Sequence, residues 1–181
     1  MTVVLPGRPG PDEYPAYAAK YLARVEEDDI LAALGQEERP CIEFTLAANP
    51  DLAKTWAYAP GKWTLNNVIG HICDTERILA YRALRIARGD STALPGFDEN
   101  AFAANSPYST FSPQQLADEL HTVRAASLSL LRGLRAEDWL RHGAASGQTV
   151  SVRALARFIC GHERHHLAIL EERYAPLLAA S

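Results

Sequence analysis

The stretch VRALARFICGHERHHLAILEERY, residues 152–174, decides the fold of this chain. Its apolar residues keep helical time. With His162 set at zero and about 100° allowed per residue, Leu155 and Ile159 lie about 20° and 60° away, and Ile169 about 20° to the other side. His166 sits about 40° from His162 inside the same stripe, whereas His165 falls about 60° to the other side, at its edge. The stretch therefore predicts a helix that turns two imidazoles, four residues apart, toward its apolar partner. At that spacing both can reach one metal ion.

Working outward, the rest of the chain repeats the helical pattern. Thr64 is a good N-cap for a helix running to about Arg88, where Gly89 stops it; Leu65, Val68, Ile72, Leu79, Ala83 and Ile86 form its apolar stripe. Ser112-Pro113-Gln114-Gln115 combines an N-cap, a proline in the first turn and a capping-box glutamine, and starts another helix carrying Leu116, Leu120, Val123, Leu130 and Leu134. A first long helix, capped by Asp28 or Asp29, runs to about Ala48 with Ile30, Leu31, Leu34, Ile42, Phe44 and Leu46. Pro40 interrupts it at a position where proline usually bends or breaks a helix. A short helix is expected over Tyr14 to Val25. Residues 1–12, with three prolines and two glycines, read as a loose arm. Residues 90–111 read as a long polar loop with buried Phe97 and Phe102, and loops beyond about 12–15 residues are usually functional or disordered. RHGAASGQT (residues 141–149) reads as a loop as well. Four long amphipathic helices without strand alternation predict an all-α, four-helix bundle spanning residues 1–181 as a single domain.

The 181 residues, 48% of them hydrophobic, suffice for one domain with a sizeable core. A formal net charge of -4, from 18 basic and 22 acidic residues, gives no electrostatic case for nucleic acid or an anionic membrane. No apolar run approaches the roughly 20 residues that span a bilayer. The N-terminus lacks the basic-then-apolar layout of a secretory signal. Cys41, Cys73 and Cys160, odd in number and widely spaced, read as reduced thiols of a cytoplasmic protein.

A third ligand is needed to make a site of His162 and His166. The second long helix offers His71, beside its apolar stripe and on the side shared by Thr75, Ile78 and Arg82. Neighbouring bundle helices lie about 8–10 Å apart, so the three imidazoles can converge. Three histidines with coordination positions left open suit one catalytic or ligand-binding divalent ion, Zn²⁺, Ni²⁺ or Fe²⁺. The bland alternative for His71 alone is a hydrogen-bonded core residue. For the pair it is weaker, since burying two unpartnered imidazoles costs several kcal/mol. Cys73 and Cys160 point about 160° away from the site and read as small apolar filler. His121 and His142 read as solvated, and Trp56, Trp63 and Trp139 as packing residues. His162-Glu163-Arg164-His165-His166 also fits the H-E-x-x-H pattern, in which Glu163 would be a general base. No third ligand follows downstream on a separate element, and no sheet is predicted to bind a peptide, so a metallopeptidase is not the reading. Arg82, about 20° from His71 around the helix, can bind a carboxylate; its alternative is a salt bridge to Asp74 or Glu163.

Gly61-Lys62-Trp63-Thr64, Gly70-His71, Asp74-Thr75-Glu76-Arg77, Tyr81 through Arg88, Leu94-Pro95-Gly96-Phe97-Asp98-Glu99 and Val152 through Leu167 together resemble the DinB-like (damage-inducible) superfamily. The likeness covers most of residues 28–174 and is most specific in the second and fourth long helices. It implies an up-down-down-up bundle, often a homodimer, with a divalent metal on the positions of His71, His162 and His166. It also implies metal- and thiol-dependent transferase or isomerase chemistry with a low-molecular-weight thiol such as bacillithiol, mycothiol or glutathione. Three classes of function stay open: a metal-dependent enzyme acting on a small-molecule substrate or thiol by S-transfer, hydrolysis or isomerisation; a non-catalytic metal-binding stress-response protein; and a bundle whose histidines are structural. Arg82 and Glu163 are the candidates for catalysis.

Overall fold

The computed structural model describes residues 7–178. A 3₁₀ turn at Ala16–Ala18 leads into α1 (Ala19–Leu22), followed by α2 (Ile30–Ala47), α3 (Pro50–Thr55), α4 (Leu65–Ala87), α5 (Glu99–Asn105), α6 (Pro113–Arg132) and α7 (Ala136–Trp139). Strands β1 (His142–Ala145) and β2 (Gln148–Ser151) precede α8 (Val152–Ile169). The long helices start at side-chain caps: Asp29 accepts from the Ala32 N–H, Thr64 from Asn67 and Ser151 from Ala154, while Ser112 and Gln115 close a reciprocal capping box.

Cross-helix contacts fix the direction of each helix. Asn66, in the first turn of α4, donates to the carbonyls of Tyr108 and Phe111, just before α6 begins, so α4 and α6 run parallel. His71 meets His162, whereas Leu79 and Leu155 share a cavity wall nearer the other end, so α8 runs against α4. Arg124 of α6 reaches the carbonyl of Leu34, and His121 reaches Glu38, so α2 runs against α6. The order is up-down-down-up. Each of α2 and α4 packs on α6 and α8, and the sequential pair α2 and α4 lies across the bundle diagonal.

Buried residues along the helices fall into two apolar clusters. One gathers Leu34, Leu79, Leu131, Trp139 and Leu155; the other gathers Leu65, Ile69, Leu116, Leu120 and Leu170. Between them on α4, α6 and α8 lie the buried polar residues Glu76, Arg124, His162 and Glu163. The core is two apolar plugs around a polar layer.

Several elements differ from the sequence expectation. Residues 142–151 form a hairpin in place of a loop, with Ala145 opposite Gln148 and a two-residue turn in which Ser146 (φ 52°) and Gly147 (φ 73°) are both left-handed. Gly143 lies against the end of α4, where a Cβ would come 2.6 Å from Ile86 Cγ1. The 90–111 segment contains α5, capped by Asp98, and its Phe102 is exposed and packs at a tilt against Phe97. α2 continues through Pro40, which sits on the exposed face with Gln36, the residue whose carbonyl loses its helical partner. Leu46 is exposed, and α6 buries Leu128 and Leu131 where Leu130 was expected. The α-helical part of the last helix ends at Ile169, and a π-helical turn carries the chain through Leu170–Tyr174. Of the expected arm, residues 1–6 lie outside the described residues. Its remainder is held: Arg8 donates to Asp28 and to the Glu26 carbonyl, and Gly10 donates to Glu13, which pairs with Arg153.

Candidate metal centre

Both histidine-bearing helices carry a glycine immediately before the first histidine, and each glycine is there to admit a neighbour. A Cβ at Gly161 would stand 2.0 Å from the Tyr21 carbonyl oxygen, so only glycine lets the end of α1 close on α8. A Cβ at Gly70 would stand 2.0 Å from the ring of Tyr108, whose hydroxyl donates to Asp74. Tyr21 in turn lies beside His162 and His165, with ring centroids at 5.5 and 5.1 Å. These close approaches hold α4 and α8 with His71, His162 and His166 turned toward one another.

The three histidines converge on one point through the same atom. His162 Nε2 lies 3.1 Å from His71 Nε2 and 3.1 Å from His166 Nε2, and all three ligand atoms fall within 4.8 Å of one another. Among the described residues no other histidine, cysteine or carboxylate joins them. An imidazole nitrogen holds either one proton or one lone pair, so His162 Nε2 cannot make two good hydrogen bonds to two equivalent nitrogens. Thr75 Oγ1 stands 3.5 Å from His71 Nδ1, where it can accept that proton and leave the Nε2 lone pair facing the cluster. A cation satisfies such a donor set. Nitrogens bound at about 2.0–2.1 Å in tetrahedral array are about 3.3 Å apart, close to the two 3.1 Å separations made by His162.

The electrostatics favour free lone pairs. Burial lowers the pKa of His71 to about 4, against a small opposing pull from Glu99. Burial, then the neighbouring His71, lowers His166 to about 3, and burial with both partners holds His162 well below the usual imidazole range. All three are neutral at pH 7, the form a metal binds.

Two cavities flank the cluster. One, of about 360 Å³, has Tyr21, His71, Thr75, Arg82, Glu99 and His162 in its wall. The other, of about 220 Å³, includes Lys62, Trp63, Asn100 and His166. Helix α5 supplies Glu99 to the first and Asn100 to the second, and so straddles the histidines.

The remaining sequence candidates are placed as follows. Arg82 makes neither of the salt bridges considered for it. Its Nη2 donates to the Pro95 carbonyl at 2.7 Å and to Ser146 Oγ at 3.0 Å. Glu163 is fully buried and pairs with Arg124, which also grips Glu76 through two bonds of 2.8 and 2.9 Å. Burial opposes the charge on Arg124, but the Glu163 and Glu76 carboxylates more than offset it, and its pKa is raised. His165 stays outside the cluster. The three cysteines are buried without disulfides. His121 meets Glu38 at the surface, and His142 is partly exposed. Trp63, read as packing, also lies tilted against His71 with centroids 4.8 Å apart and lines a cavity. Glu99, Asn100 and Ser146 were not singled out as site residues. The Asp98 cap that builds α5 was the available signal for the first two, and the Ser-Gly pair for the third.

Among the described residues no helix is long and apolar enough to cross a membrane. Of the relatives of this chain, a Bacillus pumilus protein that carries a provisional metal-dependent hydrolase name is 30% identical over 122 residues. That match takes in 64% of this chain and spans 66% of the relative's own length. The fold matches YfiT of Bacillus subtilis, described as a probable metal-dependent hydrolase with an unusual four-helix bundle topology. The TM-score is 0.74 at 18% identity, over 91% of this chain and 93% of that one. A mycothiol-dependent maleylpyruvate isomerase matches with a TM-score of 0.63 at 15% identity, covering 85% of this chain and 62% of the isomerase. A DinB-like protein of Bacillus subtilis matches with a TM-score of 0.57 at 20% identity, over 80% and 87% of the two chains. The DinB superfamily as a whole matches residues 18–170. With that span, and with the bundle order read from the helix contacts, the chain belongs to the DinB superfamily.

Proposed function

We propose that this protein is a divalent-metal-dependent enzyme acting on small molecules, with His71, His162 and His166 as the metal ligands. The observation that carries the reading is the meeting of three neutral Nε2 atoms, two of them 3.1 Å from the third, at a point that no carboxylate among the described residues joins. When bound, a divalent ion with open positions activates a water or a thiol at neutral pH and polarises an electrophile. The protein's own part is to hold the ligands neutral, to exclude bulk water behind Tyr21 and α5, and to offer cavities on two sides of the cluster. Two approaches suit a reaction that joins or exchanges two partners, and the more specific form of the proposal is thiol-dependent S-transfer or related hydrolase or isomerase chemistry. The thiol-dependent isomerase with the same fold supports that direction.

The test is metal analysis of protein purified without a histidine tag, then a screen of low-molecular-weight thiols with electrophilic acceptors. One divalent ion per chain, lost in a His162→Ala, His166→Ala double variant and kept in His165→Ala, is the expected result. Full occupancy in the double variant would end the proposal.

A further inference from the structure

Arg82 is a buried cation without an acid. It is 5% exposed, yet among the described residues no carboxylate lies within ion-pair distance of it, and its Nη2 bonds go to two neutral oxygens, Pro95 O and Ser146 Oγ. Burial pulls its pKa down, with Tyr17 acting electrostatically in the opposite direction. A guanidinium has five N–H donors, and Nε and Nη1 have no protein partner among the described residues. Leaving a buried charge unpaired is expensive, and the surrounding structure takes trouble to keep this one in place. Ser146 is held in the left-handed region at the hairpin tip, and Leu94 locks that tip to the 94–97 segment by exchanging backbone hydrogen bonds with Ala144 and Ser146. The hairpin and the crossover are thus stitched together at the point where both hold Arg82.

The same guanidinium forms part of the wall of the 360 Å³ cavity that His71 and His162 open into. The rise from His71 to Arg82 along α4 is about 16 Å at 1.5 Å per residue. Long helical side chains lean back toward the N-terminus, which brings the guanidinium nearer the histidines than the backbone distance suggests. Glu99, which acts electrostatically on His71, lies in the wall as well and disfavours a carboxylate beside it.

From this juxtaposition we infer that Arg82 anchors a carboxylate or similar anionic group of the small molecule whose reacting end sits at the three histidines. The ligand is an elongated anion, several bonds long, read at one end by a pre-set guanidinium and at the other by the metal site. The inference rests on the metal-enzyme reading for the reacting end, but the Arg82 end stands apart from it and can be tested apart from it.

The probes are paired ω-mercaptocarboxylates and ω-mercaptoalcohols of increasing chain length, titrated by calorimetry into nickel- or zinc-loaded protein. At one preferred length the acid should bind about tenfold more tightly than the alcohol, the size of a charge-assisted hydrogen bond. Arg82→Gln should remove that advantage while leaving one metal per chain and the alcohol's affinity unchanged. Arg82→Lys should restore only part of it, since an ammonium keeps the charge but cannot place a donor at the position of Nε or Nη1 while also holding Pro95 and Ser146. Equal binding of acid and alcohol by the wild type at every length would overturn the inference, as would an advantage that survives Arg82→Gln. Should Arg82→Gln not fold, Ser146→Ala takes its place, with a reduced acid advantage expected and an unchanged one counting against the inference. Metal-free protein separates the two readings: hexanoate should raise its Tm where hexanol does not, and should fail to do so in Arg82→Gln. No hexanoate shift in the wild type would overturn the Arg82 inference, whereas a shift in a protein that takes up no metal would leave Arg82 standing and remove the metal reading.

Discussion

Two polar triads lie in the core of this bundle, both drawing on α4 and α8, and they are built on opposite principles. Glu76, Arg124 and Glu163 form a closed set: one guanidinium placed among two carboxylates and the Leu34 carbonyl. His71, His162 and His166 form an open set, in which three copies of one donor face each other and no other histidine, cysteine or carboxylate among the described residues joins them. His162 and Glu163 are consecutive on α8, and Thr75, which stands beside His71, precedes Glu76 on α4, so both helices contribute to both sets. The lesson is that buried polarity is not one signal. A triad whose members satisfy each other holds helices in register, and a triad whose members cannot satisfy each other is waiting for a partner from outside.

The strongest way to break the comparison is to open the closed set. Arg124→Met strands two buried carboxylates and should cost about 3–5 kcal/mol of stability, read from chemical denaturation. A loss under about 1 kcal/mol would mean that the carboxylates find water or protons freely, and that the layer is not closed. The next effect should come from completing the open set. Zinc or nickel at one hundred times its dissociation constant should add about 2.7 kcal/mol to the wild type and nothing to His162→Leu. In the absence of metal, His162→Leu should lie within about 1 kcal/mol of the wild type, because an apolar side chain replaces a group that had no satisfactory partner.

Glu163→Gln sharpens the contrast between ion pair and catalyst. It removes one charge-assisted partner of Arg124 and should cost about 2 kcal/mol, while metal affinity stays within about twofold of the wild type. A variant of normal stability that binds metal yet loses activity would return Glu163 to the reacting groups. The smallest effect lies at the periphery, where a closed pair ties the N-terminal segment to α8. Hydrogen bonds from Arg153 lower the pKa of Glu13 from 4.5 to about 2. The unfolded chain takes up the proton first, so the stability from this pair is complete above about pH 4.5 and drains away as the pH falls toward 2. Arg153→Gln should flatten the dependence of Tm on pH in that window and leave it unchanged near neutrality.

Much of the fold was legible because caps and period agree. Thr64 and Ser112 begin helices where their sequence contexts predict, and the apolar stripe of α4 is buried at every position named for it. The histidine cluster was legible for the same reason: helical phase alone turns His162 and His166 inward and leaves His165 aside. The hairpin was not, because Gly143, Ala144 and Ala145 carry too little apolar contrast to show a period of two, and the turn at Ser146-Gly147 was its only mark. Helix α3 left a clear sign in Asn49-Pro50, a cap followed by a first-turn proline, that a short element makes easy to pass over. Arg124 hid in plain view: it follows Leu120 by one turn on the buried face of α6, and an arginine there needs acids on the facing helices. Its partners could not be chosen before the helix pairing was known. Arg82 posed the reverse problem, since its phase beside His71 was plain but its lack of an acid became visible only in three dimensions.

The parallel course of α4 and α6 has a consequence for how this scaffold can vary. An antiparallel neighbour would need a connection of only about 2–8 residues and would leave the histidines uncovered on that side. Here the chain must travel back along the height of α4, about 34 Å for its 23 residues, before α6 can start. That return journey is where α5 arises, with Glu99 over one cavity and Asn100 over the other. Lengthening, shortening or rewriting the return path can change what reaches the histidines without disturbing the helices that hold them. On the proposed metal-enzyme reading, one set of three histidines would serve different substrates, with the variable part of the molecule obliged by topology to lie beside them.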